Sequence, residues 1–429
     1  MAPGSIDPEP LPWQSTVERK KQQQRDILSK ALLELGKYKE LQNVDIGQLA
    51  DTTQTLSLIS KGQLTCKTVV QGLIERAIQV HQQTNCLTEV AFEDALQQAE
   101  ELDAYIISEK QPIGPLHGLV VTLKDQFNIK GYDSTLGYVG RSFNPATDDA
   151  VLVKILKSLG AIVLAKSNLP QSIMWCETEN PLWGLTTNPM NKDYTPGGST
   201  GGEAVLLSCG ASMLGWGTDI GGSIRIPSHM MGIYGLKPSD MFYTADGGED
   251  IRQDISRAGE PFIPHVKRLV NRGKAISVYE YWKLNKKKWD LQQGYLEKWN
   301  SIQSATGRKA DVLLMPVMPH AAVRHGGCGW VGYTKVWNVL DYTAMVIPGG
   351  TIQSGDVDTP FSYPARGPED EWNQGLWNKD KDEMAAMNLP VGLQIVGRKL
   401  EEEKVLGAAE VIDRVVKKLL QPRYSQAST

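Results

Sequence analysis

In the stretch LTCKTVVQGLIERAIQVHQQ, apolar side chains recur at Val69, Val70, Leu73, Ile74, Ala77 and Ile78. That spacing sets them on one side of a helix. STVERKKQQQRDILSKALLEL places Ser15 before a polar run, with apolar residues crowding one side from Ile27, and predicts a helix capped by Ser15. TEVAFEDALQQAEELDAYI predicts another helix. The period then changes: GLVVTLKDQFNI and GAIVLAKSNL are short β-branched runs closed by turn residues, and they predict strands. Between them DDAVLVKILKSLG has the spacing of an amphipathic helix that ends at Gly160. Strand, helix and strand in that order predict a parallel α/β sheet.

Beyond Pro238 the pattern loosens. DGGEDIRQDISRAGE is polar, and GPEDEWNQGLWNKDKDE predicts a charged surface loop. SVYEYWKLNKKKWDLQQGYLEKWN predicts a helix whose aromatic stripe, Tyr281, Trp289, Tyr295 and Trp299, packs into the core, while Lys286 to Lys288 lie on a solvated face. ADVLLMPVMP and LPVGLQIVG read as buried strands. EEEKVLGAAEVIDRVVKKLL reads as a long helix with acidic residues in its first turn and lysines in its last, which complements the helix dipole. There is no internal repeat.

Composition narrows the function classes. The 429 residues are 41% apolar and 22% charged, with net charge −4. This is globular composition with no basic footprint for nucleic acid or anionic membrane. No run approaches a membrane span, and the first residues lack the apolar core of a secretory signal. Five scattered cysteines without metal-ligand spacing read as reduced thiols, and the expected location is the cytoplasm. Cys328 beside His325 in HGGCGW is a minor alternative nucleophile, because no orienting Asn or Asp motif accompanies it.

The chemistry concentrates in TPGGSTGGEAVLLSCGASMLGWGTDIGGSIRIPS, Thr195 to Ser228, where two Gly-Gly-Ser units share one window. Two loops with capping serines would account for the pattern. A phosphate loop would not, since neither nucleotide-binding glycine motif is present. A third reading is nucleophilic catalysis. Successive backbone N–H groups at Ile220, Gly221, Gly222 and Ser223 would cradle an oxyanion, with Ser223 as the attacking oxygen. Ser199 stands 24 residues earlier, and Lys124 in VVTLKDQF is a base at a strand end.

The Gly197–Ser228 stretch resembles the amidase signature family. PLHGLVVTLKDQFNIKGYDSTLGY is similar to that family's lysine segment, SNLPQSIMWCETENPLWGLTTNP to its pocket segment, and NLPVGLQIVGRKLEEEKVLGAAEVID to its C-terminal strand and helix. The likeness is nearest to fungal acetamidase-like general amidases and runs from about Thr65 to about Asp413. It implies an α/β fold with a mixed central sheet covered by helices on both faces. It also implies a Ser–Ser–Lys triad: Ser223 as nucleophile, Ser199 as bridging serine after a cis Gly198–Ser199 peptide, and Lys124 as base. Asp219 and Arg225 would support the loop, Thr200 takes a position where the family usually has serine, and Ser172 and Ile173 match positions near the substrate. Ser134 and Thr135 match a further family segment and read as turn residues.

The expected reaction is hydrolysis of a small or hydrophobic carboxamide through an acyl-enzyme, with no metal and no cofactor. The expected partner is the small-molecule amide, with a homodimer as the one protein assembly considered. The resemblance implies an N-terminal helical region over residues 1–64 and the amidase signature domain over 65–429. One departure stands out. After GLKPS the family continues into a strand, helices and a further strand, whereas here Ser239 runs almost directly into Tyr243, so an internal piece of the sheet region is expected to be missing near 239–243. Two other readings follow: a catalytically impaired relative with a binding or scaffold role, and an amidotransferase subunit that would need a companion chain.

Overall fold

The computed structural model describes residues 12–36, 51–238, 246–359, 361 and 364–420. The junction at 239–243 lies outside the described residues, as do residues 1–11 and 37–50 of the N-terminal region, whose helices are Pro12–Leu35 and Thr52–Ser60.

Among the described residues ten strands follow in order: β1 Leu87–Val90, β2 Val120–Lys124, β3 Ile162–Ser167, β4 Glu179–Asn180, β5 Gly184–Leu185, β6 Leu214–Trp216, β7 Gly235–Lys237, β8 Leu313–Pro316, β9 Ala344–Thr351 and β10 Pro390–Val396. They form a mixed sheet ordered β1-β3-β2-β6, an antiparallel sheet ordered β7-β9-β10-β8 and a small β4-β5 ladder. In the first sheet β2 runs parallel to both β3 and β6, with Val120 opposite Ile162 and Lys124 opposite Ser167. The expected α/β architecture with a mixed sheet is present. It is divided, however, because among the described residues β6 pairs only with β2 and β7 only with β9. Between these two short strands lies an apolar cavity lined by Leu207, Met213, Trp216, Ile233, Leu236 and Met345.

Helices cover both faces. Helix Cys66–Thr84 buries Val69, Val70, Leu73, Ile74, Ala77 and Ile78 against β1 and β3, as their spacing predicts. Leu28, Leu35 and Ile59 of the N-terminal helices enter the same core. Helix Val151–Ser158 packs Val153 and Leu156 on the other face, against Val121, Leu123 and Val163. On the second sheet, helix Glu402–Leu420 seats Val405 and Ala409 against Ile347 and Ile395.

Five expectations need correction. Ser15 is not a cap: the helix starts at Pro12, whose fixed φ suits a first turn, and the Ser15 hydroxyl donates back to the Pro12 carbonyl at 2.8 Å. The segment TEV belongs to β1, where Leu87 and Val90 pair antiparallel with β3, so the following helix begins at Phe92. The stretch from Gly367 is helix Pro368–Ala386 rather than loop. Proline at its start and Glu369, Asp370 and Glu371 in the first turn favour the helix dipole's positive end, and Met384 and Ala385 bury its far end. Strand β8 alternates between half-buried and exposed and sits at a sheet edge, rather than being buried throughout.

The aromatic helix, Val278–Ser301, is core only toward its C-terminus. Trp299 is 1% exposed and packs with Tyr295, Trp337 and Tyr342, whereas Trp282 and Trp289 are 66% and 58% exposed.

Candidate active site

The site forms at the carboxyl ends of the parallel strands β2 and β6, the usual place for ligands in open α/β sheets. Lys124 is the last residue of β2 and is fully buried. Its Nζ donates to Ser199 Oγ at 2.6 Å and to Thr218 Oγ1 at 2.9 Å. Thr218 in turn donates to Gln126 Oε1 at 2.7 Å. Burial pushes the Lys124 amine down to about 7, although Asp219 and Glu203 pull it the other way. An amine at that value is about half neutral at pH 7.

Ser199 follows a cis Gly198–Ser199 peptide. Thr200 then leads into helix Gly201–Ser208, and its N–H donates to the Ser223 carbonyl at 3.1 Å, tying the two glycine-rich segments together. Gly198 has no room for a side chain, since a Cβ there would meet the Glu177 carbonyl oxygen at 2.4 Å.

The loop from Asp219 to Ser223 is fixed by one carboxylate. Asp219 accepts from Gly222 N at 2.8 Å, Ile224 N at 3.1 Å, Arg225 Nε at 2.9 Å and Arg225 Nη2 at 2.9 Å. Asn338 Nδ2 donates to Asp219 Oδ1 and also to its carbonyl. Burial alone would raise this carboxyl, but the Arg225 charge and these hydrogen bonds hold it well below the usual range. Arg225 itself is fully buried and reaches Gln394 and Asn338. A buried ion pair held by this many hydrogen bonds is costly to break at either partner. Gly222 has φ +128°, and a Cβ there would meet Thr334 Oγ1 at 2.3 Å, so the turn requires glycine.

Of the four N–H groups expected to cradle an oxyanion, that of Gly222 is committed to Asp219. Those of Ile220, Gly221 and Ser223 have no hydrogen-bond acceptor among the described residues. Ile220, Gly221 and Ser223 line a cavity of about 180 Å3 together with Ile173, Met174, Trp175 and Ile226. Ile173 reaches that wall through left-handed backbone, φ +59°, directly after Ser172 at φ +64°. Such strain in a branched residue tends to mark a working surface. Ser172 is buried beside the wall, its N–H bonded to the Leu136 carbonyl at 3.0 Å. Ser134 and Thr135 lie away from the cavity. Thr135 donates to Asp125 at 2.9 Å and Ser134 accepts from Lys166 at 2.9 Å, so both are tied into a buried polar network rather than acting as turn residues alone.

Several members of the network leave little trace in the sequence. Glu203, one helical turn after Ser199, accepts from Ser167 at 2.7 Å and from Thr122, and burial raises it to about 7. Thr218, Gln126, Asn338 and Gln394 have no motif spacing. For Thr218 the one available cue is its place directly before Asp219. Cys328 lacks the setting of a nucleophile. Its thiol is buried, hydrogen bonding with Cys176 and burial both push it up, and its N–H is spent on Glu177. All five cysteines are free. No group of residues suited to a metal ion occurs among the described residues, and no helix among them is long and apolar enough to cross a membrane.

The fold and this arrangement define a class. The family model described as Amidase matches residues 68–260 and 254–406, two stretches that overlap at 254–260. The chain belongs to the amidase family and is an enzyme of the hydrolases that act on amide bonds. It is 41% identical to Amidase 1 of Gibberella moniliformis over 487 aligned positions, covering 85% of this chain and 93% of that protein. It is 45% identical to Amidase 2 of the same organism, covering 77% of this chain and 84% of that one. Among solved structures, a fatty acid amide hydrolase superposes with a TM-score of 0.75 over 96% of this chain and 91% of its own, at 22% identity. In the first alignment 85% of 429 residues is about 365, so about 120 of the 487 positions of the relative face gaps in this chain.

Proposed function

We propose that the protein hydrolyses small or hydrophobic carboxamides by a serine nucleophile, with Ser223, Ser199 and Lys124 acting in series. One observation carries this reading: a buried lysine amine at about 7 lies 2.6 Å from Ser199 Oγ, in a segment bonded to Ser223. A neutral amine accepts a proton, and Ser199 is the only hydroxyl beside Thr218 that it touches among the described residues.

In the proposed sequence Ser223 Oγ attacks the amide carbon while its proton passes through Ser199 to Lys124. The carbonyl oxygen, now negative, meets the N–H groups of Ile220, Gly221 and Ser223. One oxyanion donor typically contributes about 2.7–4 kcal/mol. The proton returns through Ser199 to the leaving nitrogen, the C–N bond breaks, and ammonia or an amine departs. Water then attacks the ester on Ser223 by the same proton route and releases the carboxylate. Asp219 and Arg225 are positioning residues that hold the loop, and Thr200 links its two halves. The apolar wall of Ile173, Met174, Trp175 and Ile226 supports an apolar acyl group, and the cavity volume supports a small one.

Ammonia release from acetamide, benzamide, an aryl amide and a long-chain amide tests the reading. Turnover is expected for at least one of the four and is expected to fall by a factor of at least about 10⁴ in Ser223→Ala. Equal turnover in the variant would remove Ser223 from the mechanism.

A further inference from the structure

The cavity that holds Ser223 has one wall unlike the others. Helix Pro264–Val270 and the turn after it present His265, Arg268 and Arg272, and helix Gly332–Leu340 presents Lys335. Arg268, Arg272 and Lys335 line the cavity from exposed positions, and none of them has an ion-pair partner among the described residues. No Asp or Glu among the described residues lines the cavity. This cationic mouth belongs to a chain whose net charge is −4, so it runs against the sign of the whole molecule.

The wall is also fixed in place relative to the reacting centre. Thr334, next to Lys335, donates to the Gly221 carbonyl at 2.6 Å, which locks that helix to the nucleophile loop. On the other side, the Ile263 N–H donates to Gln171 Oε1 at 3.0 Å, and Gln171 Nε2 donates to Glu260 at 2.9 Å. His265 stacks on Trp175 with ring centroids 3.7 Å apart, and burial, then the Arg268 charge, push its imidazole down to about 4. It is therefore neutral at pH 7, and its buried Nδ1 has no partner among the described residues.

We infer that the preferred substrate is an amide whose end remote from the scissile carbonyl carries a carboxylate, held by Arg268, Arg272 and Lys335 over the His265–Trp175 stack. The apolar floor takes the connecting chain. Two guanidinium forks beside one ammonium suit a carboxylate, because arginine pairs with it through two parallel hydrogen bonds. The inference rests on the reading of this site as an amide hydrolase.

The test compares amides that differ only at the far end: pentanedioic acid monoamide, the neutral pentanediamide and the cationic aminopentanamide. The monoamide is expected to have the highest kcat/KM, by about tenfold or more over the diamide at low ionic strength, the cationic amide the lowest, with the difference shrinking as salt screens it. In the triple variant Arg268→Gln, Arg272→Gln, Lys335→Gln the ratio of monoamide to diamide is expected to fall to about one. A ratio near one in the wild type, or an unchanged ratio in the variant, overturns the inference. If no amide is turned over, calorimetric binding to Ser223→Ala decides it. Tighter binding of the monoamide than of the diamide upholds the carboxylate site while the catalytic reading fails, and equal binding sinks the carboxylate site.

Discussion

Lys124 concentrates the physical chemistry of the site. Its charge is disfavoured by burial and favoured by Asp219 and Glu203, and burial prevails, leaving it at about 7. If its neutral form is the base, kcat/KM rises with pH through about 7 and then levels off. Lys124→Ala is expected to lower turnover by at least about a hundredfold without altering the circular dichroism spectrum, and to replace the plateau by a rate that keeps climbing as hydroxide substitutes for the amine. A wild-type profile in the variant would detach Lys124 from the reaction. At this scale the sequence was informative where a residue type is scarce and its setting unusual: a lysine closing a β-branched run, and serines after paired glycines. It was silent on Thr218, Gln126 and Asn338, since hydroxyls and amides gain their meaning from a tertiary partner. Nor could it tell that Gly222 spends its N–H on Asp219, which lies only three residues away but faces it through a turn.

Among the elements, the sequence spoke most clearly where a period is enforced by burial. The helix Cys66–Thr84 and strands β2 and β3 are buried along a whole face or on both, and their patterns say so. Helix Pro368–Ala386 was obscured because its buried side is confined to its last turns, and helix Glu249–Ser256 because it buries only Ile251, Asp254 and Ile255. The aromatic helix Val278–Ser301 divides the same way. Trp299 fills a cluster with Trp337 and Tyr342, so Trp299→Ala is expected to lower stability by about 3–5 kcal/mol. Trp282→Gln with Trp289→Gln removes comparable apolar area from solvent-facing positions. It is expected to change the urea midpoint little while reducing self-association in analytical ultracentrifugation. A large loss of stability in the double variant would mean that this stripe packs against the protein after all.

Across the whole molecule, three observations meet. The family model matches in two stretches that overlap at residues 254–260, the alignment with a relative leaves about 120 of its positions unmatched, and the sheet among the described residues is divided between β6 and β7 over an apolar cavity. We propose that all three have one origin: the strand and helices expected after Ser239 are absent from this chain. The exposed stripe of the aromatic helix fits the same account, as apolar surface that such a segment would cover. Apolar burial contributes about 25 cal/mol per Å2 and domains are stable by only about 5–15 kcal/mol, so the loss is large on the scale of the fold. A version carrying a relative's segment between Ser239 and Tyr243 is therefore expected to melt higher and to hydrolyse amides faster than the 429-residue chain. Equal melting temperatures and rates in the two would show the segment to be dispensable. The elements of the proposed site lie on either side of this gap in the sheet, with Lys124 on β2 and Ser223 after β6, while Asn338 on helix Gly332–Leu340 and Gln394 on β10 brace Arg225.

The most direct test of the central claim is covalent labelling of the nucleophile. A serine-directed phosphonate should add its mass once per chain, on the tryptic peptide that contains Ser223, and Ser223→Ala should not be labelled. Labelling that persists in Ser223→Ala, or that maps to another serine in the wild type, would contradict the account.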